Sequence, residues 1–124
     1  MTATRINPTK APWTVVTGWT LPSTCTGGDM HIAWNEGMGL FYIAGWVDFP
    51  NTTDTSFTLT FNMPQGFPQV ADRYIHMGCP CGVSSTFGLI YGGIWLYGST
   101  RKITLTVPFT NINHVYIPPA IMRL

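Results

Sequence analysis

The sequence predicts an all-β domain: an antiparallel β-sandwich or small barrel of Greek-key or meander type, with eight or nine short strands and little or no helix. Three observations predict it. Apolar residues alternate with polar ones at period two, no window of eleven or more residues carries a helical period, and Gly, Pro and Asn punctuate the chain every 8–12 residues or so. Residues 1–12 (MTATRINPTKAP) are polar and hold two prolines, so they read as an arm or linker ahead of one domain over 13–124.

The elements follow in order. Trp13 to Leu21 (WTVVTGWTL) is a β-branched first strand, or two pieces broken at Gly18. Asp29 to Asn35 sets Met30, Ile32 and Trp34 against His31, Ala33 and Asn35. The glycines of Asn35-Glu36-Gly37-Met38-Gly39 turn a hairpin into Leu40 to Phe49. There Phe41, Ile43, Val47 and Phe49 share one face and Tyr42, Ala44, Trp46 and Asp48 the other, with Gly45 marking a bulge or close approach.

Ser56 to Met63 (SFTLTFNM) alternates without a break. Pro64 to Pro68 (PQGFP) is a tight turn. Arg73 to Gly78 is a strand, followed by a loop, and Phe87 to Tyr91, Ile94 to Tyr97 and Lys102 to Val107 are read as three strands. Gly92-Gly93 is the expected hairpin between the first two, and Gly98-Ser99-Thr100 the turn before the third. Val115 to Pro118 and Ala120 to Leu124 close the sheet, with Pro118-Pro119 expected to confine that end to an edge. Phe41, Phe49, Phe57, Phe61, Phe87 and Phe109 are the aromatic candidates for the core.

Composition narrows the function. The chain has 124 residues, 45% hydrophobic and only 9% charged, against roughly 25% charged in an average globular chain. Such a surface must be Thr, Ser, Asn and Gly, or be covered by a partner, and a homo-oligomer is expected. The net charge is +1 and the basic residues are scattered, so no stripe neutralises phosphates and no nucleic-acid partner is expected. No stretch reaches the ~20 apolar residues of a membrane helix, and no membrane insertion is expected. The N-terminal residues lack the apolar core of a signal peptide, which makes synthesis in a cytoplasm the default.

Three cysteines cannot all pair, and Cys79-Pro80-Cys81 is too tight for an unstrained bridge, so buried free thiols are the ordinary reading. Cys25, Cys79 and Cys81 with His31 or His76 do not have a usual zinc spacing, and no metal or other cofactor is expected. Asp72, His76, Ser84 and Ser85 include the residue types of a triad but lack a nucleophile elbow, and five acids in the whole chain argue for no paired-carboxylate site. The chain is not expected to be an enzyme.

Aromatics are in surplus: five Trp, five Tyr and seven Phe. If Ile94 and Leu96 point into the core, Trp95 and Tyr97 point out, as do Tyr42 and Trp46 opposite Ile43 and Val47. Outward aromatics serve a subunit interface, bury under a second layer, or form a platform on which the C–H face of a sugar stacks. On strand parity Trp95, Tyr97, Trp46, His76, Asp72 and Arg101 are the candidate saccharide-facing residues.

The order of motifs resembles a family. A strand LFYIAGWVDF leads to SFTLTFNMPQGFPQ, then GLIYGGIWLYGSTRKITLTVPF, and the chain ends HVYIPPAIMRL. With Met63-Pro64-Gln65-Gly66-Phe67-Pro68 as the matching turn, the span from Leu40 to Pro118 resembles the C-terminal head domains of tail-fibre, baseplate and receptor-binding proteins of tailed bacteriophages. The resemblance implies a β-sandwich head that forms homotrimers at a tail tip or baseplate, contacts other virion tail proteins and binds a saccharide of the host surface. It also implies a virion protein made in a bacterial cytoplasm. A structural virion component without a ligand, and a cellular carbohydrate-binding module, are the competing readings.

Overall fold

Period-two alternation puts Phe, Ile, Leu and Val on one side of each strand, and that side is buried by facing another like it. The computed structural model describes the backbone of residues 12–50, 57–83, 86–107 and 113–124, and the side chains of 12–50, 58–75, 93–106 and 113–124. Its strands are β1 (Thr14–Val16), β2 (Gly27–Asn35), β3 (Leu40–Asp48), β4 (Phe57–Asn62), β5 (Arg73–Val83), β6 (Thr86–Tyr97), β7 (Lys102–Val107) and β8 (His114–Arg123). No helix occurs among the described residues. The expected arm falls outside them apart from Pro12.

Every pairing is antiparallel, and the spatial order is β1-β2-β3-β8-β5-β6-β7-β4. The sheet folds over at the β8–β5 junction into a small β-sandwich. One layer is β1-β2-β3-β8 and the other β5-β6-β7-β4, the latter a Greek key with β4 returning beside β7. The seam between the layers is narrow: among the described residues, Cys81↔Val115 and Gly82↔His114 pair across it.

A single core joins the layers. Met30, Ile32, Trp34, Phe41, Ile43 and Val47 from β2 and β3 meet Leu59, Phe61, Ile94, Leu96, Ile103 and Leu105 from β4, β6 and β7. Burying each such side chain contributes about 1.5–3 kcal/mol. Trp19, after β1, stacks on Phe61 with centroids 4.6 Å apart and donates its indole N–H to the Asn62 carbonyl at 3.0 Å. The two ends of the strand order are thereby brought back together. Phe67, from the Pro64–Pro68 turn, meets Trp34 and Phe41 edge-on at 5.3 and 6.1 Å. Phe41, Phe49 and Phe61 are core residues as expected, and Phe67 joins them. The side chains of Phe57, Phe87 and Phe109 lie outside the described residues.

The turn chemistry holds locally. In the β2–β3 hairpin the Asn35 side chain accepts the Met38 N–H at 3.0 Å, and Gly39 takes φ 65°. Gly66 takes φ 86° while the Phe67 N–H reaches the Pro64 carbonyl at 3.1 Å. At Gly45 (φ 135°) a Cβ would overlap the Asp29 carbonyl oxygen of β2, so the close approach read from the sequence is real.

One expectation changes. Gly92-Gly93 is not a hairpin turn. β6 runs unbroken from Thr86 to Tyr97 against β5, with His76↔Gly93 and Met77↔Gly92 in register. The glycine at 93 answers a packing need instead: a Cβ there would overlap the Tyr74 hydroxyl and ring. β8 lies between β3 and β5 only at His114 and Val115 among the described residues, and its Pro118-Pro119 end pairs with β3 alone, the edge expected for it. Its prolines occupy the register slip in the β3–β8 ladder, where Ala44 alone faces Pro118 and Pro119, so their missing N–H groups interrupt nothing.

Gly93→Ala is expected to lower stability by about 1–3 kcal/mol through overpacking, read from urea denaturation. Adding Tyr74→Ala to that variant should recover part of the loss. Gly37→Ala, whose new methyl would have only Asn35 Oδ1 nearby at 3.6 Å, is the comparison. Equal losses at 93 and 37 would show that Tyr74 does not claim the space.

Candidate functional site

The sandwich has two outer faces, and the aromatics divide between them. Tyr42 and Trp46 lie on the β1-β2-β3-β8 layer, whereas Trp95 and Tyr97 lie on the β5-β6-β7-β4 layer. Strand parity told outward from inward, but which layer a strand joins is set by long-range pairing.

On the β5-β6-β7-β4 face the register builds ordered rows. Tyr74↔Trp95↔Thr104↔Thr60 crosses all four strands, and Tyr97↔Lys102↔Asn62 runs beside it. The Trp95 and Tyr97 rings are stacked, 8° from parallel with centroids 5.5 Å apart. Tyr74 packs on Trp95 at 4.8 Å and 45°. The three aromatics form a half-buried shelf. Beside it Thr60 and Thr104 share a hydroxyl hydrogen bond of 3.1 Å, and the Lys102 ammonium donates to the Asn62 side-chain carbonyl. Apolar rings bordered by hydroxyl, amide and ammonium groups can take a ligand with a C–H face and a polar rim. Tyr74 is the member that sequence reasoning missed. Its signal was available in the Arg73–Gly78 alternation, but only the β5–β6 register brings it to Trp95.

The other candidates on this side serve structure. The Asp72 carboxylate accepts the Ser99 backbone N–H at 3.1 Å and the Ser99 hydroxyl at 2.9 Å. These bonds, backbone first, hold the Asp72 carboxyl below the usual carboxylate range. Arg101, at φ 57°, donates to the Phe67 carbonyl at 2.6 Å and the Pro68 carbonyl at 3.1 Å. Both therefore clamp the β6–β7 turn onto the segment entering β5. A Cβ at Gly98 would overlap the Val70 carbonyl, which shows how tightly that turn sits. The backbone of His76 pairs with Gly93, while its side chain lies outside the described residues, as do those of Cys79, Cys81, Ser84 and Ser85.

Trp46 belongs to a different constellation. Asp29↔Trp46↔Tyr116 forms a row across β2, β3 and β8, with Trp46 38% and Tyr116 39% exposed. Trp46 stacks on His114 at 5.9 Å, and His114 is bonded to Asp48. Further along, Val15↔Ala33↔Tyr42↔Ile121 makes an apolar row in which Val15 and Ile121 are 66% and 62% exposed. With Trp13 this row lines a shallow hollow of about 270 Å3.

Among the described residues no group of three or more His, Cys, Asp or Glu is placed to hold a metal ion. Burial raises the Cys25 thiol, which favours the unreactive protonated form. No protein-family model, no curated protein and no solved structure matches the chain.

Two variants test the clamp. Arg101→Met, which leaves two carbonyls without their donor, should cost about 1–3 kcal/mol in urea denaturation. For Asp72 the folded value is depressed, so its contribution is present above the unfolded value of about 3.9 and is lost as pH falls through the folded one. Asp72→Asn should therefore flatten the acid limb of the stability profile, and an unaltered limb would show that the Ser99 bonds add nothing to folding.

Proposed function

We propose that the domain is a receptor-binding head of a phage tail tip or baseplate, and that its Tyr74–Trp95–Tyr97 shelf takes a saccharide of the host surface. The observation that carries the reading is the shelf itself: three contiguous aromatic rings on an outer sheet face, bordered by Thr104, Thr60, Lys102 and Asn62. Pyranose rings present an axial C–H face to such rings and hydroxyls to such a border. The motif order resembling phage heads supports the same reading, and the reading assigns the domain no catalytic step.

The opposite layer supports the assembly half of the proposal. Val15, Ala33, Tyr42 and Ile121 form an apolar row on a chain with few charges to keep it apart from its copies. A further copy of the chain, in a trimer, is the proposed cover for that row. The saccharide face and the assembly face are then different sides of one sandwich. A virion component without a ligand remains the second reading, favoured by the same apolar row.

Glycan-array binding of wild type and Trp95→Ala tests the shelf. Wild type should bind and Trp95→Ala should lose about 1–3 kcal/mol of affinity, the worth of an aromatic contact at a binding centre. If Trp46→Ala abolishes binding and Trp95→Ala does not, the saccharide surface is the Trp46–Tyr116 row instead. Light scattering tests the assembly half, with Ile121→Lys expected to shift an oligomer toward monomer. A wild type that stays monomeric at high concentration would rule out the trimer.

A further inference from the structure

Beyond the seam, β5 and β8 part. β8 continues to Arg123 on β3, β5 begins at Arg73 on β6, and between them opens a cleft of about 460 Å3 lined by Arg73, Tyr74, Ile75, Met122 and Arg123. Arg73 is the odd residue here. Its ladder partner is Leu96, a fully buried core residue, so Arg73 stands at an inward position of the sheet. Its Nε and Nη2 atoms are buried, and neither has a hydrogen-bond partner. Among the described residues both ion pairs are His–Asp, so no carboxylate neutralises Arg73 or Arg123.

Buried guanidinium donors left unmet are unfavourable unless a partner completes them. Nε and Nη2 lie on the same edge of the guanidinium. Both atoms have almost no accessible surface, so the side chain must turn toward the cleft for that edge to offer its two parallel N–H donors to the two oxygens of one planar anion. The cleft walls add Ile75 and Met122, which suit the carbon attached to such an anion, and Arg123 adds positive potential at the exposed side. A monoanion carried on carbon suits the Ile75 and Met122 walls better than a phosphate dianion, whose second charge they would leave poorly solvated.

The geometry points to the β5–β8 cleft as a carboxylate-binding site, with the Nε–Nη2 edge of Arg73 as its bidentate donor. Tyr74 lines the cleft and also packs on Trp95, so a carboxylate carried on a sugar ring is one source of the anion. A free small carboxylate offers the same chemistry, and the two sources differ in whether the shelf responds.

NMR of the 15N-labelled full chain reads this directly, because the Arg73 Nε–H and the Trp95 indole N–H report the cleft and the shelf separately. The probes are sodium acetate, D-glucuronate, D-glucose and inorganic phosphate, at constant ionic strength. Acetate and glucuronate should each move the Arg73 Nε–H saturably and glucose should not, and Arg73→Met should weaken glucuronate binding at least tenfold. Glucuronate binding tighter than acetate with a shift at Trp95 identifies a sugar acid, while equal binding without that shift identifies a free carboxylate. Both outcomes uphold the site. If no carboxylate moves Arg73 in the wild type, or only phosphate does, the proposal is overturned whether or not Arg73→Met folds. Glucose moving Trp95 with Arg73 unmoved by any probe overturns the cleft and leaves the saccharide shelf standing.

Discussion

The structure depends on a single eight-stranded ladder that folds over at a seam where, among the described residues, Cys81↔Val115 and Gly82↔His114 pair. The sheet must fold because one face of nearly every strand is apolar, and a flat sheet would leave that face in water. Folding over brings Trp19 onto Phe61 and drives Phe67 between the layers against Trp34 and Phe41. So short a seam lets the far ends of β5 and β8 diverge. The cleft around Arg73 is thus a consequence of how the core is closed.

The same closure determines the surfaces. Once the inner face is spent on the core, every outward aromatic belongs to one of two opposite sides. The β5-β6-β7-β4 side concentrates Tyr74, Trp95 and Tyr97 beside polar groups, and the β1-β2-β3-β8 side carries the apolar row and the Trp46–Tyr116 row. Gly93 links fold to surface: its missing Cβ lets the Tyr74 ring lie across β6 and so reach Trp95. A small residue read as a turn signal serves as a contact surface.

Asp72 and Arg101 show how a polar residue near a candidate site can be committed elsewhere. Each lies within a few residues of the shelf aromatics in sequence or register, and each satisfies the backbone of a neighbouring segment. Tight turns leave carbonyls and N–H groups without ladder partners, and side chains with several donors or acceptors are drawn to them. Strand parity gives no sign of that demand, because it arises between segments about 30 residues apart.

Local rules decided much of this protein from sequence. Period-two alternation dictated the strands β2, β3 and β4 and inward residues such as Ile32, Phe41, Leu59 and Phe61, since side-chain direction in a strand depends only on adjacent positions. The Asn35–Gly39 and Pro64–Pro68 turns were equally legible, because positive φ and side-chain caps are properties of a few consecutive residues. Tertiary structure alone decided which strands share a layer, that Gly92-Gly93 continues a strand, that Trp46 and Trp95 face opposite ways, and that Arg73 turns inward where β8 has left β5 and pairs with β3 alone. Each of these follows from pairings between distant segments, whose energies come from shared burial and register and leave no mark on the local pattern.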